Sequence, residues 1–156
     1  MNQRGFTLVE MVIAIVIIGL AAGALYGALG NIAGHGADPM IAEQAEAIAR
    51  AYLEEITAKA FVDPSLPSSA PACAGPIEVR AQMNNICDYN GLDDVGVHDQ
   101  YGQAITALAA YEVQVSVTPN YTWQGLPGGD VVRIDVTVTH RPSGQKTVTT
   151  ALRTRY

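Results

Sequence analysis

The chain has 156 residues, enough for one domain of ordinary size and too few for two large ones. Nine Lys and Arg against fifteen Asp and Glu leave a formal charge of −6, which excludes a broadly basic nucleic-acid surface. An apolar fraction of 49 % with only 15 % charged residues excludes intrinsic disorder, and two cysteines exclude a disulfide-dense scaffold. The apolar residues are concentrated at the start. Residues 11–30 carry no charged side chain, and twenty residues of helix span about 30 Å, the thickness of a bilayer core. Ahead of them, Arg4 and the chain's own amine are the only cations, so this end stays cytoplasmic and everything after about residue 31 crosses.

Glu10 interrupts the apolar run that begins at Phe6. A carboxylate deep in a membrane helix costs roughly 2.5–3.5 kcal/mol, less near an interface. Either it lies hydrated at the membrane surface, or a cation meets it. Within this stretch the candidates are Arg4 and a backbone amine.

The stretch Arg4-Gly5-Phe6-Thr7-Leu8-Val9-Glu10, followed by the apolar helix, closely resembles the N-terminus of type IV pilins and the pseudopilins of type II secretion. The resemblance implies a leader at residues 1–5, cleavage by a prepilin peptidase between Gly5 and Phe6, and N-methylation of Phe6. It implies that Glu10 pairs with the N-terminal amine of a neighbouring subunit, which supplies the missing cation on assembly. It also implies partners: other pilin or pseudopilin subunits, the peptidase, and an inner-membrane assembly platform. Two alternatives compete. One is an ordinary secretory signal cut near Ala22-Gly23-Ala24, and the other an uncleaved anchor of a binding protein. Against the signal, the apolar run continues through Leu25, Tyr26, Ala28 and Leu29, and Glu10 is awkward at its head.

Gly34-His35-Gly36 interrupts the helix, and Asp38-Pro39 suits a restart. Met40, Ile41, Ala45, Ile48, Ala49, Tyr52, Leu53 and Ile56 recur at three- and four-residue spacing. They predict an amphipathic helix over about 39–60, with Glu43, Glu46, Arg50, Glu54, Glu55 and Lys59 on the solvent side. In the resembled family one long helix is anchor and filament core in its first half and packs on a small sheet in its second. Many members carry a proline in the apolar half; this chain has Gly19, Gly23, Gly27 and Gly30 there instead.

Four prolines between Phe61 and Pro76 predict a surface connection. Cys73 and Cys87 lie fourteen positions apart, and outside the cytoplasm a disulfide is their simplest state, with a free pair or a metal site as alternatives. Asp88, Asp93, Asp94 and Asp99 make an oxygen-rich stretch that is a weak calcium candidate. Its spacing is not that of an EF-hand loop, and a solvated turn explains it equally. His98 beside Asp99 has no nucleophile with a matching motif nearby, so no catalytic residue is assigned.

Tyr111 to Thr118 and Val132 to Thr139 alternate apolar and polar residues without fault, and both predict half-buried strands. Between them Gly125, Pro127, Gly128 and Gly129 mark a loop. In it Trp123 is a candidate contact if exposed, although an indole folded back onto the sheet is the simpler expectation. Arg141-Pro142-Ser143-Gly144 reads as a turn, and Gln145 to Arg153 as a third strand with Val148 and Leu152 on one face. The stretch from Asp130 to Tyr156, together with Cys87 to Gly91, resembles minor pilins of MSHA-type pilus systems.

The expected fold is therefore α+β: a long N-terminal helix, transmembrane then amphipathic, packed on a three- to four-stranded antiparallel sheet. Residues 6–33 form the transmembrane and filament-core helix, and residues 37–156 a periplasmic or extracellular domain. The expected protein is a structural subunit, a minor pilin or minor pseudopilin. It is not an enzyme, needs no cofactor and binds no nucleic acid. It is held first in a bacterial inner membrane with its N-terminus cytoplasmic, then in a periplasmic or cell-surface filament.

Overall fold

The computed structural model describes residues 7–35, 38–65, 71, 73–77, 79–125 and 128–155. The chain divides into two units, Met1–Met40 and Ile41–Tyr156.

The first unit is built on helix α1 (Leu8–His35). Its large side chains from Leu8 to Tyr26 are all exposed, Leu8 by 81 %. They lie on every side of the helix, so no single face is marked for burial. The segment Leu8–Gly27 is long and apolar enough to cross a membrane. The expected interruption falls at the end of α1; residues 36 and 37 lie outside the described residues.

Helix α2 (Asp38–Thr57) follows the predicted stripe. Ala45, Ile48, Ala49, Tyr52, Leu53 and Ile56 are all buried, as their spacing requires. Met40 is not part of that stripe: it is 57 % exposed and precedes the first residue of the second unit. The helix also stops three residues earlier than predicted. Thr57 turns its hydroxyl back to the carbonyl of Leu53 at 2.7 Å, and Lys59 closes a tight final turn on Ile56. Ala60 is then taken into a bridge with Asn85, where Ile86 N–H donates to the Ala60 carbonyl at 3.0 Å.

The sheet has four antiparallel strands in chain order: β1 (Asp93–Val95), β2 (Tyr111–Thr118), β3 (Val131–His140) and β4 (Gln145–Thr154). Tyr111, Val113, Val115 and Val117 of β2 join Val132, Ile134, Val136 and Val138 of β3 on the buried face, in one core with the stripe of α2. Gly144 (φ 70°) supplies the left-handed residue that closes the β3–β4 turn, its N–H bonded to the His140 carbonyl at 2.8 Å.

Two expectations need correction. Val148 and Leu152 do share a face of β4, but it is the outer one, where they are 60 % and 38 % exposed. Pairing with β3 sets Thr147, Thr149 and Ala151 opposite Val138, Val136 and Ile134, so these smaller residues take the core side. A period of two cannot say which face is inside, and a strand alternating Thr with Val offers both. Secondly, the predicted surface connection from Phe61 to Pro76 is anchored at its first residue, and the segment after it adds to the core and to the sheet. Phe61, Met83, Ile86, Tyr89 and Val97 are buried in the core, and Asp93–Val95 makes the fourth strand.

The Cys73–Cys87 disulfide is formed. Closing a loop of this size contributes about 3 kcal/mol in the chain-entropy model.

The inverted face of β4 is directly testable by denaturant unfolding of the detergent-held chain. Ile134→Ala is expected to cost about 2–5 kcal/mol, whereas Val148→Thr stays within about 0.5 kcal/mol. Comparable losses from both would contradict the register.

Candidate functional site

Gly5 and Phe6, where the sequence places the expected cleavage, lie outside the described residues. Glu10, the third residue of α1, is described. Thr7 stands just before the helix. Its hydroxyl accepts the N–H of Glu10 at 3.3 Å, and its carbonyl accepts the N–H groups of Glu10 and Met11 at 3.1 and 3.2 Å. Thr followed three positions later by Glu is the pattern of a helix start, and here it orders the first turn. The carboxylate of Glu10 therefore sits where free N–H groups and the helix dipole favour an anion. Among the described residues it has no ion-pair partner. Glu10 thus stands at the head of an apolar helix whose large side chains from Leu8 to Tyr26 are exposed.

The second unit holds a polar cluster that sequence reasoning missed. Arg80, only 6 % exposed, stands in a short 3₁₀ turn (Arg80–Gln82). Its Nε and Nη2 donate to the two carboxylate oxygens of Glu55 on α2, at 3.1 and 2.8 Å. Its Nη1 donates to Asp94 on β1 at 2.5 Å. The guanidinium lies over the ring of Tyr52, 4.6 Å from its centre. Tyr52 donates its hydroxyl to Asp94 at 2.7 Å and accepts the N–H of His98 at 3.0 Å. Tyr89 donates its hydroxyl to Glu55 at 2.8 Å.

Glu55 is thus not on the solvent side, as its place in the helical pattern implied. The one available signal was its spacing: Glu55 follows Tyr52 by three residues, on the edge of the buried stripe. Burial pushes the Tyr52 hydroxyl up to about 12, helped by its bond to Asp94. Burial, then the bond to Glu55, pushes Tyr89 well above the ordinary tyrosine range. Burial alone would lower Arg80, but the bond to Glu55, with Tyr52 and Asp94 beside it, holds the guanidinium more firmly protonated. These groups tie helix, irregular segment and sheet together; none faces a nucleophile.

The four aspartates proposed for calcium have separate partners. Asp88 accepts the N–H groups of Asn84 and Asn85 at 2.8 and 3.1 Å, and Asn85 in turn accepts that of Cys87. Asp94 belongs to Arg80. Asp99 accepts the N–H groups of Tyr101 and Gln103 at 2.9 and 2.8 Å, an Asx-type turn. Asp93 faces Gln114 at the sheet edge. Among the described residues, no three His, Cys, Asp or Glu are grouped to hold a metal ion. Trp123 is 38 % exposed, in a turn where Gln124 and Gly125 both take positive φ.

Two outcomes follow for the Arg80 cluster. Arg80→Met leaves two carboxylates unpaired in a largely buried site and is expected to cost about 3–5 kcal/mol of unfolding free energy, measured with denaturant. A loss below about 1 kcal/mol, the value of an exposed pair, would contradict the clamp. Tyr52 carries a pH dependence. Its folded pKa is raised, so its contribution is complete below the unfolded value of 10 and is lost as pH rises through about 12. Unfolding free energy should fall between those limits, and Tyr52→Phe should flatten that fall. An unchanged slope in the variant would contradict the assignment.

Comparison with known proteins places one part of the chain. Residues 1–26 match the family model described as the prokaryotic N-terminal methylation motif. No curated protein and no solved structure matches the chain. The motif supports a pilin-like protein of the kind a prepilin peptidase processes, with a membrane-anchoring N-terminal helix and a structural rather than enzymatic role.

Proposed function

We propose that this chain is a structural subunit of a type IV pilus or type II secretion pseudopilus. The observation that carries the reading is the pairing of a prepilin-type start with an apolar helix whose described large side chains are exposed. On this reading residues 1–5 are removed between Gly5 and Phe6, and Phe6 is methylated. Residues 6–33 wait in the inner membrane with the N-terminus cytoplasmic. Residues 37–156 stand outside, where an assembly platform draws the helix into the filament.

Lipid and a bundle of apolar helices are similar solvents for Val and Ile, so transfer between them gains little by itself. Close packing and the pairing of Glu10 with a neighbour's new N-terminal amine supply the direction and the register. In the resembled secretion systems the subunit capping the filament often lacks this acid, so Glu10 argues for a place below the tip. The long irregular segment supports a minor subunit, and the MSHA-like hairpin points the same way. The uneven charge described below favours instead a subunit that repeats along the shaft; copy number in isolated filaments separates the two.

Glu10→Val tests the mechanism. The expected product is a chain that is still cleaved, still stable and still in the membrane, but absent from filaments. Normal assembly of the variant would contradict the role of Glu10, and indifference of every membrane phenotype would favour the plain anchor or receptor.

A further inference from the structure

Charge is divided sharply within the second unit. Residues 131–156 hold Arg133, Arg141, Lys146, Arg153 and Arg155 against Asp135 alone, while residues 41–130 hold twelve acids against Arg50, Lys59 and Arg80. Topology separates these halves in space. The basic residues lie on the β3–β4 hairpin, and β4 is one edge of the sheet; β1, with Asp93 and Asp94, is the other. With three strand spacings between them the edges are about 14 Å apart. Arg133 is paired with Asp135 and Arg155 with Asp130, but among the described residues Arg141, Lys146 and Arg153 have no ion pair. The outer face of β4 presents Lys146, Val148, Thr150 and Leu152, a cation and two aliphatic side chains with Thr150, bonded to Asp135, between the aliphatics.

A matching surface exists on the acidic side. Helix α2 and the 97–108 segment enclose an open groove of about 610 Å³ whose walls include Ala47, Ala51, Val97, Ile105 and Leu108. Glu43, one helical turn before Ala47, is a further exposed acid of α2, and neither it nor Glu54 has an ion pair among the described residues. The groove is largely apolar with Glu54 in its wall; the outer face of β4 is aliphatic beside Lys146.

We propose that the β3–β4 hairpin of one copy docks, head to tail, into the α2 groove of a second copy. The proposal deepens the filament reading and rests on it. The two patches are different surfaces of the same unit, so the contact does not close into a two-fold dimer; it repeats, as a filament requires. Opposite charge sets which patch meets which, and the aliphatic residues supply the buried contact. A purely protective role for the edge lysine, or attraction of the hairpin to anionic lipid, uses the same cations without the groove.

The test uses the full-length chain in the membrane of cells that carry its assembly machinery. A photoreactive side chain is placed at Val148 and the cross-linked peptides are identified. The expected product joins residue 148 to α2 or the 97–108 segment of a second copy. Arg141→Glu with Lys146→Glu should lower its yield about tenfold, and adding Glu43→Lys with Glu54→Lys should restore it. Retention of the Cys73–Cys87 bond by mass confirms that each variant is folded. Cross-links confined to lipid, to other proteins or to the second copy's own β4 would overturn the proposal, as would a yield indifferent to charge reversal. Filaments that form normally without this cross-link overturn the contact alone. Loss of Glu10 dependence in the parent chain overturns the filament reading instead.

Discussion

The large apolar side chains of helix α1 from Leu8 to Tyr26 are exposed among the described residues. A soluble helix survives by hiding one face, and its sequence marks that face with an apolar stripe; α1 has apolar residues on every side. Side chains such as Ile13, Ile17 and Leu20 would each lose about 1.5–3 kcal/mol if left in water. The helix therefore needs a surrounding solvent that the chain does not contain, a bilayer or a bundle of like helices. The processing motif, Glu10 and the order of the units all acquire their sense from that need. Glu10 is costly in the first solvent unless it stays at the surface, and on the proposed reading a neighbour's amine is its counterion in the second.

The second unit solves a different problem. Its middle segment, from residue 58 to 110, has little regular structure and would not fold by backbone ladders alone. It is held by apolar anchors, by the Cys73–Cys87 bond, and by Arg80. A buried arginine is a poor source of net stability compared with a hydrophobic side chain of its size. Its value here is directional: two carboxylates from α2 and β1 must both reach it, so the segment has one place to sit. Asn90 adds a smaller tie, accepting the N–H of Val117 at the end of β2 and donating to the carbonyl of Cys73.

Much of this was legible in the residues. The 3.6-residue stripe of α2 and the fault-free alternation of Tyr111–Thr118 and Val132–Thr139 named most of the core, because one buried face dictates such patterns. The motif around Glu10 was legible because spacing along a single helix carries it. What escaped depends on contacts distant in sequence. Arg80 meets Glu55 and Asp94 from positions 25 and 14 residues away, and no local period reports such a meeting. The orientation of β4 escaped for another reason. Thr and Val fit a pleated surface equally, so only pairing with β3 decides that Ala151 faces in and Val148 faces out.

The central claim is that the apolar helix is a processed assembly element rather than a signal or a fixed anchor. Intact mass and the N-terminal peptide of the protein, taken from its native membrane with the peptidase present, test it most directly. The account predicts a chain that begins at methylated Phe6. A chain beginning near Leu25, or one retaining Met1, would contradict it.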